Sequence, residues 1–251
     1  MAFFRRPRSY SLYRQDRSRK RVLRLARIAV QLFLVYILVT GLFVRSYLVE
    51  SAAMHPNFRA GDRIVATPLT YGARLPLVNL RLPGVGEPQR GDLVLVEPPY
   101  YRRPNLILRI ADPVVSFVSG QRYQLSDGAD VAWQQPLVLK RIVGVPGDTI
   151  RFTDYTAFIR PEGADAYLPE GAVNARRSYE ITIGHAPEAF RSGDPFGGNF
   201  DELSLDSDEY FVAGDDRSSS LDSRHWGTIP REALHSRIFL RYYPFNRFGR
   251  P

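Results

Sequence analysis

The sequence predicts a mainly β protein that follows one apolar helix near its N-terminus. Three observations support this fold class. Glycine and proline each contribute 19 of the 251 residues, a turn-rich composition that favours antiparallel β structure over a helical bundle. Short apolar or alternating runs recur along the chain between turn signals. Seventeen consecutive uncharged residues, from Ile28 to Val44, have the pattern of a membrane-spanning helix.

The excess positive charge lies in the N-terminal segment. Residues 1–27 hold ten Arg or Lys and one Asp, whereas the remainder holds 24 basic and 25 acidic residues. Because the body has no basic excess, the composition argues against nucleic acid as a partner. At ~1.5 Å per residue the uncharged run forms a helix about 25 Å long. With the positive-inside rule, this predicts a basic cytoplasmic tail at 1–27, a transmembrane helix at 28–45 and an extracytoplasmic body.

The body is predicted to contain short strands separated by tight corners. Gly-Asp pairs occur beside four of these segments, as expected for turns in a compact antiparallel core. The predicted strands are residues 63–67, 92–97, 137–145, 179–183, 209–213 and 237–243. Residues 46–150 and 209–251 form the predicted β core. The stretch 151–208 is richer in Gly, Pro and Ala and is predicted to be an insertion or a small second domain.

The residue types also limit the chemistry. The chain has no cysteine, which excludes thiol nucleophiles, disulfides and cysteine-ligated zinc. Its four histidines do not have the spacing of metal ligands, so we predict neither a metal nor another cofactor.

Lysine is rare in this chain. Only Lys20 and Lys140 occur among 34 basic residues, and Lys140 lies inside the predicted strand 137–145. Arginine stays protonated at any accessible pH, whereas a desolvated lysine can become a neutral base. Composition alone leaves a general base and an ordinary surface charge equally open for Lys140.

Three motifs resemble those of type I signal peptidases and come in that family's order. SAAMHPNFRAGD at 51–62, the serine-box segment, follows the membrane span, and LKRIVGVPGD at 139–148 is similar to the lysine box. GDDRSSSLDSRHWG at 214–227, the late box, is similar to the family's Gly-Asp box, which usually has Asn where Asp216 stands. The resemblance implies a signal peptidase-like antiparallel β core. It also implies cleavage of signal peptides from exported preproteins at the bacterial cytoplasmic (inner) membrane.

The resemblance further implies roles for single residues. Lys140 corresponds to the base of a Ser/Lys dyad and Ser220 to the serine that orients it. Ser51 corresponds to a residue whose hydroxyl contributes to the oxyanion hole with the backbone N–H of residue 53. Structural support is implied for Gly214, Asp215, Asp222 and Arg224, and substrate contacts are expected from Met54, Pro56 and Leu139.

The chain departs from the family pattern at the nucleophile. Aligning Met54 and Pro56 with the family motif puts the nucleophilic serine at position 53, where this chain has Ala53. The threonine that usually follows the proline is Asn57. A methyl group cannot form an acyl-enzyme, and removal of such a nucleophile costs on the order of 10⁶ in turnover. We therefore predict no cleavage by the family mechanism.

Three explanations for Ala53 stay open at this point. In the first, alanine is natural and the chain is a non-catalytic binder of signal peptides or the partner of an active paralogous peptidase. In the second, a serine has been replaced by alanine deliberately or by error. Alternatively, Ser51 acts as a displaced nucleophile, since positions 51 and 53 share a face if the segment is extended, although ~6–7 Å separates them along a strand. Signal peptides of secretory preproteins and the lipid bilayer are the expected partners.

Overall fold

The computed structural model describes most of the predicted β core and part of the predicted insertion. The described residues are 10–39, 43–73, 82–101, 111, 114–115, 117–119, 137–174, 179–184 and 197–251. Residues 40–42 of the predicted transmembrane helix, and 175–178 and 185–196 of the predicted insertion, lie outside these ranges.

The N-terminal helix α1 covers Tyr10–Leu38. It begins inside the segment predicted as a basic tail and ends before Arg45, where the first strand begins. Within the described ranges, no helix combines the length and apolar character that a membrane crossing requires.

Eleven strands follow α1 in the described part of the chain, and the short α-helices α2 and α3 lie between some of them. The elements are β1 (Arg45–Leu48), β2 (Arg63–Thr67), β3 (Leu93–Val96), β4 (Val138–Gly144), β5 (Thr149–Thr153), β6 (Thr156–Arg160), β7 (Leu168–Pro169), α2 (Glu170–Val173), β8 (Phe200–Ser204), β9 (Glu209–Ala213), α3 (Ser223–Trp226), β10 (Ile229–Pro230) and β11 (Leu234–Tyr243).

The strands form two antiparallel sheets. The larger has seven strands in the order β1-β2-β11-β3-β4-β9-β10, and the smaller has four in the order β7-β6-β5-β8. Residues 149–204, which provide the smaller sheet, overlap the range predicted as an insertion. The predicted mainly β class with antiparallel sheets is therefore confirmed.

The larger sheet is covered on both faces around its centre. All four residues of β3, Leu93–Val96, are buried. On one face Leu93 and Leu95 pack in a cluster with Met54 and Phe58 of the serine-box segment. On the other face Val94 and Val96 pack in a second cluster. A third cluster, which includes Val143 of β4, joins β4 and β9 to the smaller sheet. Since each fully buried large apolar side chain contributes about 1.5–3 kcal/mol, these clusters fix the position of β4.

Most of the predicted strands are present. β2 and β9 have the predicted bounds, β3 and β4 are one residue shorter at each end, and β11 begins three residues earlier than predicted. The strand predicted at 179–183 is wrong. Only Thr182 forms a bridge, with Asp216, because this segment packs on the late box through single hydrogen bonds and side chains rather than as part of a sheet.

Gly144 at the end of β4 provides a test of the packing between the sheets. A Cβ atom at this position would lie 2.0 Å from Ile150 Cδ1 and 2.8 Å from Leu205 Cδ1. We expect Gly144→Ala to lower the free energy of unfolding by ~1–3 kcal/mol because of overpacking. Gly171→Ala in α2 is the matched control, since a Cβ there meets nothing within 4 Å. Equal urea midpoints for the two variants would contradict this packing of β4.

Candidate active site

Lys140 lies in the middle of β4 and points into the interior. Its side chain is 3% exposed, and its Nζ donates a hydrogen bond of 2.8 Å to the hydroxyl oxygen of Ser220. Ser220 is fully buried. The Trp226 ring centroid lies 5.9 Å from the same Nζ. A lysine in these surroundings has lost most of its hydration, and its nearest polar partner is a neutral hydroxyl.

The surroundings of Lys140 change its acidity. Burial lowers the pKa of Lys140 to about 8, against the raising effect of the Asp222 and Asp215 carboxylates and with a smaller lowering effect from Arg224. Desolvation is therefore the dominant cause. A sizeable fraction of this amine is neutral at mildly alkaline pH, so it can accept a proton from a neighbouring hydroxyl.

Gly214 brings Ala53 and Ser220 together. A Cβ atom at position 214 would lie 2.2 Å from the Ser220 hydroxyl oxygen and 2.5 Å from the Ala53 carbonyl oxygen. Only a residue without a side chain allows this approach. The Ala53 carbonyl also accepts a hydrogen bond of 3.1 Å from the Asp216 N–H. Position 53 is thus placed beside the Lys140–Ser220 pair.

Asp222 and Arg224 brace the loop that carries Ser220. The Asp222 carboxylate caps α3 and accepts hydrogen bonds from the Arg224 side chain at 2.9 and 3.0 Å. It also accepts the Gly214 N–H at 3.1 Å. Burial raises the pKa of Asp222, but the hydrogen bond with His225 and the Arg224 charge outweigh burial and hold the pKa well below its usual range. An ionised Asp222 therefore keeps both ends of the loop in place.

Asp215 joins the late box to β4. Arg141 donates two hydrogen bonds of 2.7 Å to its carboxylate, and both side chains are buried. The Arg141 guanidinium also lies 3.8 Å from the centroid of the Tyr179 ring. Such a bidentate pair fixes orientation as well as distance. Because Arg141 follows Lys140 directly, the pair holds the late box against the strand that carries the amine.

The serine-box segment differs in part from the prediction. The side chain of Met54, a residue predicted to contact the substrate, is fully buried in the core. Pro56 and Leu139 are partly buried, and Ser51 is exposed. The segment after Ser51 forms turns, with the His55 N–H bonded to the Ala52 carbonyl at 2.8 Å. The extended conformation required for positions 51 and 53 to share a face is therefore not present.

Sequence reasoning missed the buried ion pair between Arg217 and Glu170. Arg217 donates hydrogen bonds of 2.8 and 2.7 Å to the two carboxylate oxygens of Glu170, and both residues are almost fully buried. Tyr179 donates to the same carboxylate at 2.5 Å, and burial raises the pKa of Tyr179 far above its usual value. The position of Arg217 in the late box could have indicated that it supports the site. Nothing in the sequence around Glu170 indicates that this residue pairs with Arg217.

Comparison with known proteins gives the family. A family described as signal peptidase, peptidase S26, matches residues 22–243. The chain belongs to this family. The match includes the serine-box segment, β4 and the late box.

Two curated relatives of this peptidase S26 chain are similar over most of its length. A signal peptidase I of Pseudomonas fluorescens is 30% identical over 210 residues, which cover 77% of this chain and 61% of the relative. A signal peptidase I of Pseudomonas aeruginosa is 28% identical over 212 residues with the same coverage. The chain therefore spans about three fifths of the length of these relatives.

A solved structure of a signal peptidase I from Enterococcus faecalis V583 is 19% identical to this peptidase S26 chain. The similarity covers 61% of this chain and 98% of that one, with a TM-score of 0.33. At that score the backbones share too little to support a structural argument.

The chain has two lysines, so the acidity of Lys140 can be measured directly. With ¹⁵N-lysine labelling, the Lys20→Arg variant leaves Lys140 as the single lysine signal. We expect this signal to titrate with a pKa of about 8. A midpoint in the ordinary lysine range would contradict the burial of the amine and remove its role as a base.

The same shift predicts a pH dependence of stability. The pKa of Lys140 is lower in the folded chain than in the unfolded chain, so between about 8 and 10.5 the unfolded state binds more protons. The free energy of unfolding should therefore rise with pH across this window. Lys140→Met should lack that part of the rise, as measured by urea unfolding at several pH values. If the free energy of unfolding depended on pH in the same way in the original chain and in Lys140→Met, the lowered pKa of Lys140 would be contradicted.

Proposed function

We propose that this chain carries the site of a type I signal peptidase with its general base and supporting residues in place and its nucleophile absent. The observation that carries the proposal is the buried hydrogen bond of 2.8 Å between Lys140 and Ser220. The Ala53 carbonyl oxygen and the Ser220 hydroxyl both pack closely against Gly214. A buried amine with a lowered pKa is costly to retain and suits a base. As it stands, the site binds a peptide but does not cleave it.

The chemistry of the complete site follows from a serine at position 53. Neutral Lys140 would take the proton of the serine hydroxyl while its oxygen attacks the scissile carbonyl carbon. Collapse of the tetrahedral intermediate breaks the peptide bond, and the leaving amine takes a proton from Lys140. The acyl-enzyme is then hydrolysed by water, which Lys140 deprotonates, and Lys140 returns this proton to the serine oxygen as the acyl group leaves. Ser220 would keep the Lys140 Nζ directed at position 53 throughout.

Ser51 has the proposed role of an oxyanion donor, together with the N–H of residue 53. Its exposure is compatible with contact to a bound peptide. A role as displaced nucleophile is disfavoured, because the turns after Ala52 prevent positions 51 and 53 from sharing a face. Even ~1 Å of misplacement can cost 10²-fold in rate.

A peptide-binding edge is proposed along the first half of β4. Pairing of β4 with β9 begins at Arg141, opposite Ala213, while the other edge of Val138–Arg141 pairs with β3. In the described strands, Val138–Lys140 therefore have no partner on the β9 side. An extended peptide can add to such an edge by backbone hydrogen bonds. Leu139 would contribute to a shallow pocket that accepts small side chains before the cleavage site.

Membrane attachment belongs to the same proposal. The basic residues of 1–27 and the apolar run of 28–44 support a single-pass anchor in the bacterial cytoplasmic membrane, with the N-terminus in the cytoplasm. The site would then face the outer surface of the bilayer, where the cleavage segments of signal peptides lie. Its substrates would be signal-peptide-bearing preproteins.

A second candidate function is favoured by Ala53 itself. The proposed binding edge contains no nucleophile, so a chain with alanine at position 53 keeps its affinity for signal peptides. Such a chain would act as a binder or regulator beside an active paralogous peptidase.

A cleavage assay in detergent with a preprotein that has an Ala-x-Ala site tests the proposal. We expect no cleavage by the chain itself and a gain of at least ~10³-fold with Ala53→Ser, because the rest of the dyad is in place. The rate should rise with pH through about 8 as Lys140 loses its proton. Adding Lys140→Met should abolish the gain, whereas adding Lys20→Arg should leave it unchanged.

Other outcomes of this assay are equally informative. Cleavage by the chain itself that Ser51→Ala abolishes would make Ser51 the nucleophile and overturn the mechanism. If Ala53→Ser shows no cleavage while fluorescence anisotropy shows binding of a labelled Ala-x-Ala peptide, the binder function is supported instead. Absence of both cleavage and binding would contradict both functions.

A further inference from the structure

The serine-box segment is tied to the late box at two points that are four residues apart. The Ala53 carbonyl accepts the Asp216 N–H at 3.1 Å, and the Asn57 amide donates to the Asp215 carboxylate at 2.8 Å. Asp215 and Asp216 are neighbours in the late box. Two adjacent residues of the late box therefore fix the position and the register of residues 53–57.

The carboxylate of Asp215 also connects this segment to the base. Its two oxygens accept hydrogen bonds from Arg141 at 2.7 Å, and one of these oxygens accepts the Asn57 amide as well. Arg141 is adjacent to Lys140 on β4. The strand that carries the base and the segment that carries position 53 thus share one buried carboxylate.

Asn57 makes more contacts than a hydroxyl residue at this position allows. Its Nδ2 donates both to Asp215 and to the Glu180 carbonyl, at 2.8 and 2.7 Å, and its Oδ1 lies 3.5 Å from the Glu180 nitrogen. The Asn57 carbonyl accepts a hydrogen bond from Arg241 at 2.6 Å. A side-chain amide has two donor hydrogens, whereas a hydroxyl has one.

We propose that Asn57 is a positioning residue that sets the distance between position 53 and the Lys140 amine. This inference rests on the proposed function, since it concerns the same site. Asn57 donates to neither the base nor Ser220 in the structure, so it acts through Asp215 and the backbone of residues 53–57. Its loss would let the nucleophile position move relative to Lys140, and a shift of ~1 Å is enough to slow catalysis strongly.

The first test uses the Ala53→Ser background. Asn57→Ala removes both donors, and the nearly isosteric Asn57→Asp replaces them by a second carboxylate against Asp215. We expect kcat to fall by ~10–100-fold in both variants with KM changed by less than about threefold. Asn57→Thr, which restores one donor, should recover part of the loss. The Lys140 midpoint in the pH–rate profile should stay in place.

Tyr71→Phe is the matched control for this test. It also removes a hydrogen bond to a buried carboxylate, from Tyr71 to Asp92 at 2.8 Å, but outside the site. If the Asn57 variants lost activity only through lower stability, Tyr71→Phe would reduce kcat to the same extent. Unchanged kcat in Asn57→Ala would overturn the inference.

The second test does not require cleavage and uses the chain with Ala53. Amide hydrogen exchange of the Asp216 N–H reports the tie to the Ala53 carbonyl directly. We expect Asn57→Ala to accelerate this exchange by at least about tenfold. The Val212 N–H, which donates to the Ser223 hydroxyl at 3.0 Å, should exchange at its original rate.

The two tests separate the failure of this inference from the failure of the proposed function. If Ala53→Ser is inactive but the Asp216 exchange accelerates in Asn57→Ala, the peptidase proposal fails while the positioning role stands. If the Asp216 exchange is unchanged in Asn57→Ala, the positioning role is overturned whatever the activity of Ala53→Ser.

Discussion

The burial of one amine is the constraint on which the rest of the site depends. An ammonium group has three donors and no acceptor, and an isolated charge in an apolar interior is very costly. Two features reduce this cost for Lys140: its pKa is lowered, and its Nζ donates a hydrogen bond to Ser220. Both features require the Ser220 loop to lie close to β4. The absence of a side chain at Gly214 makes this approach possible.

Buried ion pairs fix the position of the late box, which lies outside the strands of both sheets. Three charged pairs surround the late box: Arg141 with Asp215, Arg217 with Glu170, and Arg224 with Asp222. Buried pairs of this kind are weak evidence for stability, since desolvation offsets much of their attraction. Their value here is geometric, because the pairs are directional. Arg141–Asp215 connects the late box to β4, Arg217–Glu170 connects it to α2, and Arg224–Asp222 braces it internally. The Arg217–Glu170 pair makes the smaller sheet part of the support of the site.

Some of this arrangement was readable from the sequence and some was not. Lys140 stands out because lysine is so rare in the chain, and β2 and β9 have clear alternation with turn signals at their ends. The segment 179–183 shows similar alternation, but the Tyr179 side chain contacts Arg141 and Glu170, and the Glu180 backbone bonds to Asn57, instead of joining a sheet. The Arg217–Glu170 partnership joins residues 47 positions apart, and local patterns carry no information about such a distant pair. Asn57 was visible as a departure from the family motif, yet its partners appear only once the chain is folded.

The shared carboxylate of Asp215 also restricts how this family member can diverge. Arg141 and Asn57 come from segments more than eighty residues apart, and both donate to the same carboxylate, Arg141 to its two oxygens and Asn57 to one of them. Loss of Asp215 or of Arg141 leaves the other buried, charged side chain without its ion-pair partner, at a typical cost of ~1–3 kcal/mol or more, whereas loss of Asn57 leaves Asp215 bonded to Arg141. Tolerated replacements of Asp215 and Arg141 should therefore occur in concert. Under the proposed function, the side chain at position 53 has no such linkage, so a single nucleotide change that exchanges alanine and serine there would remove or restore the nucleophile without altering these contacts.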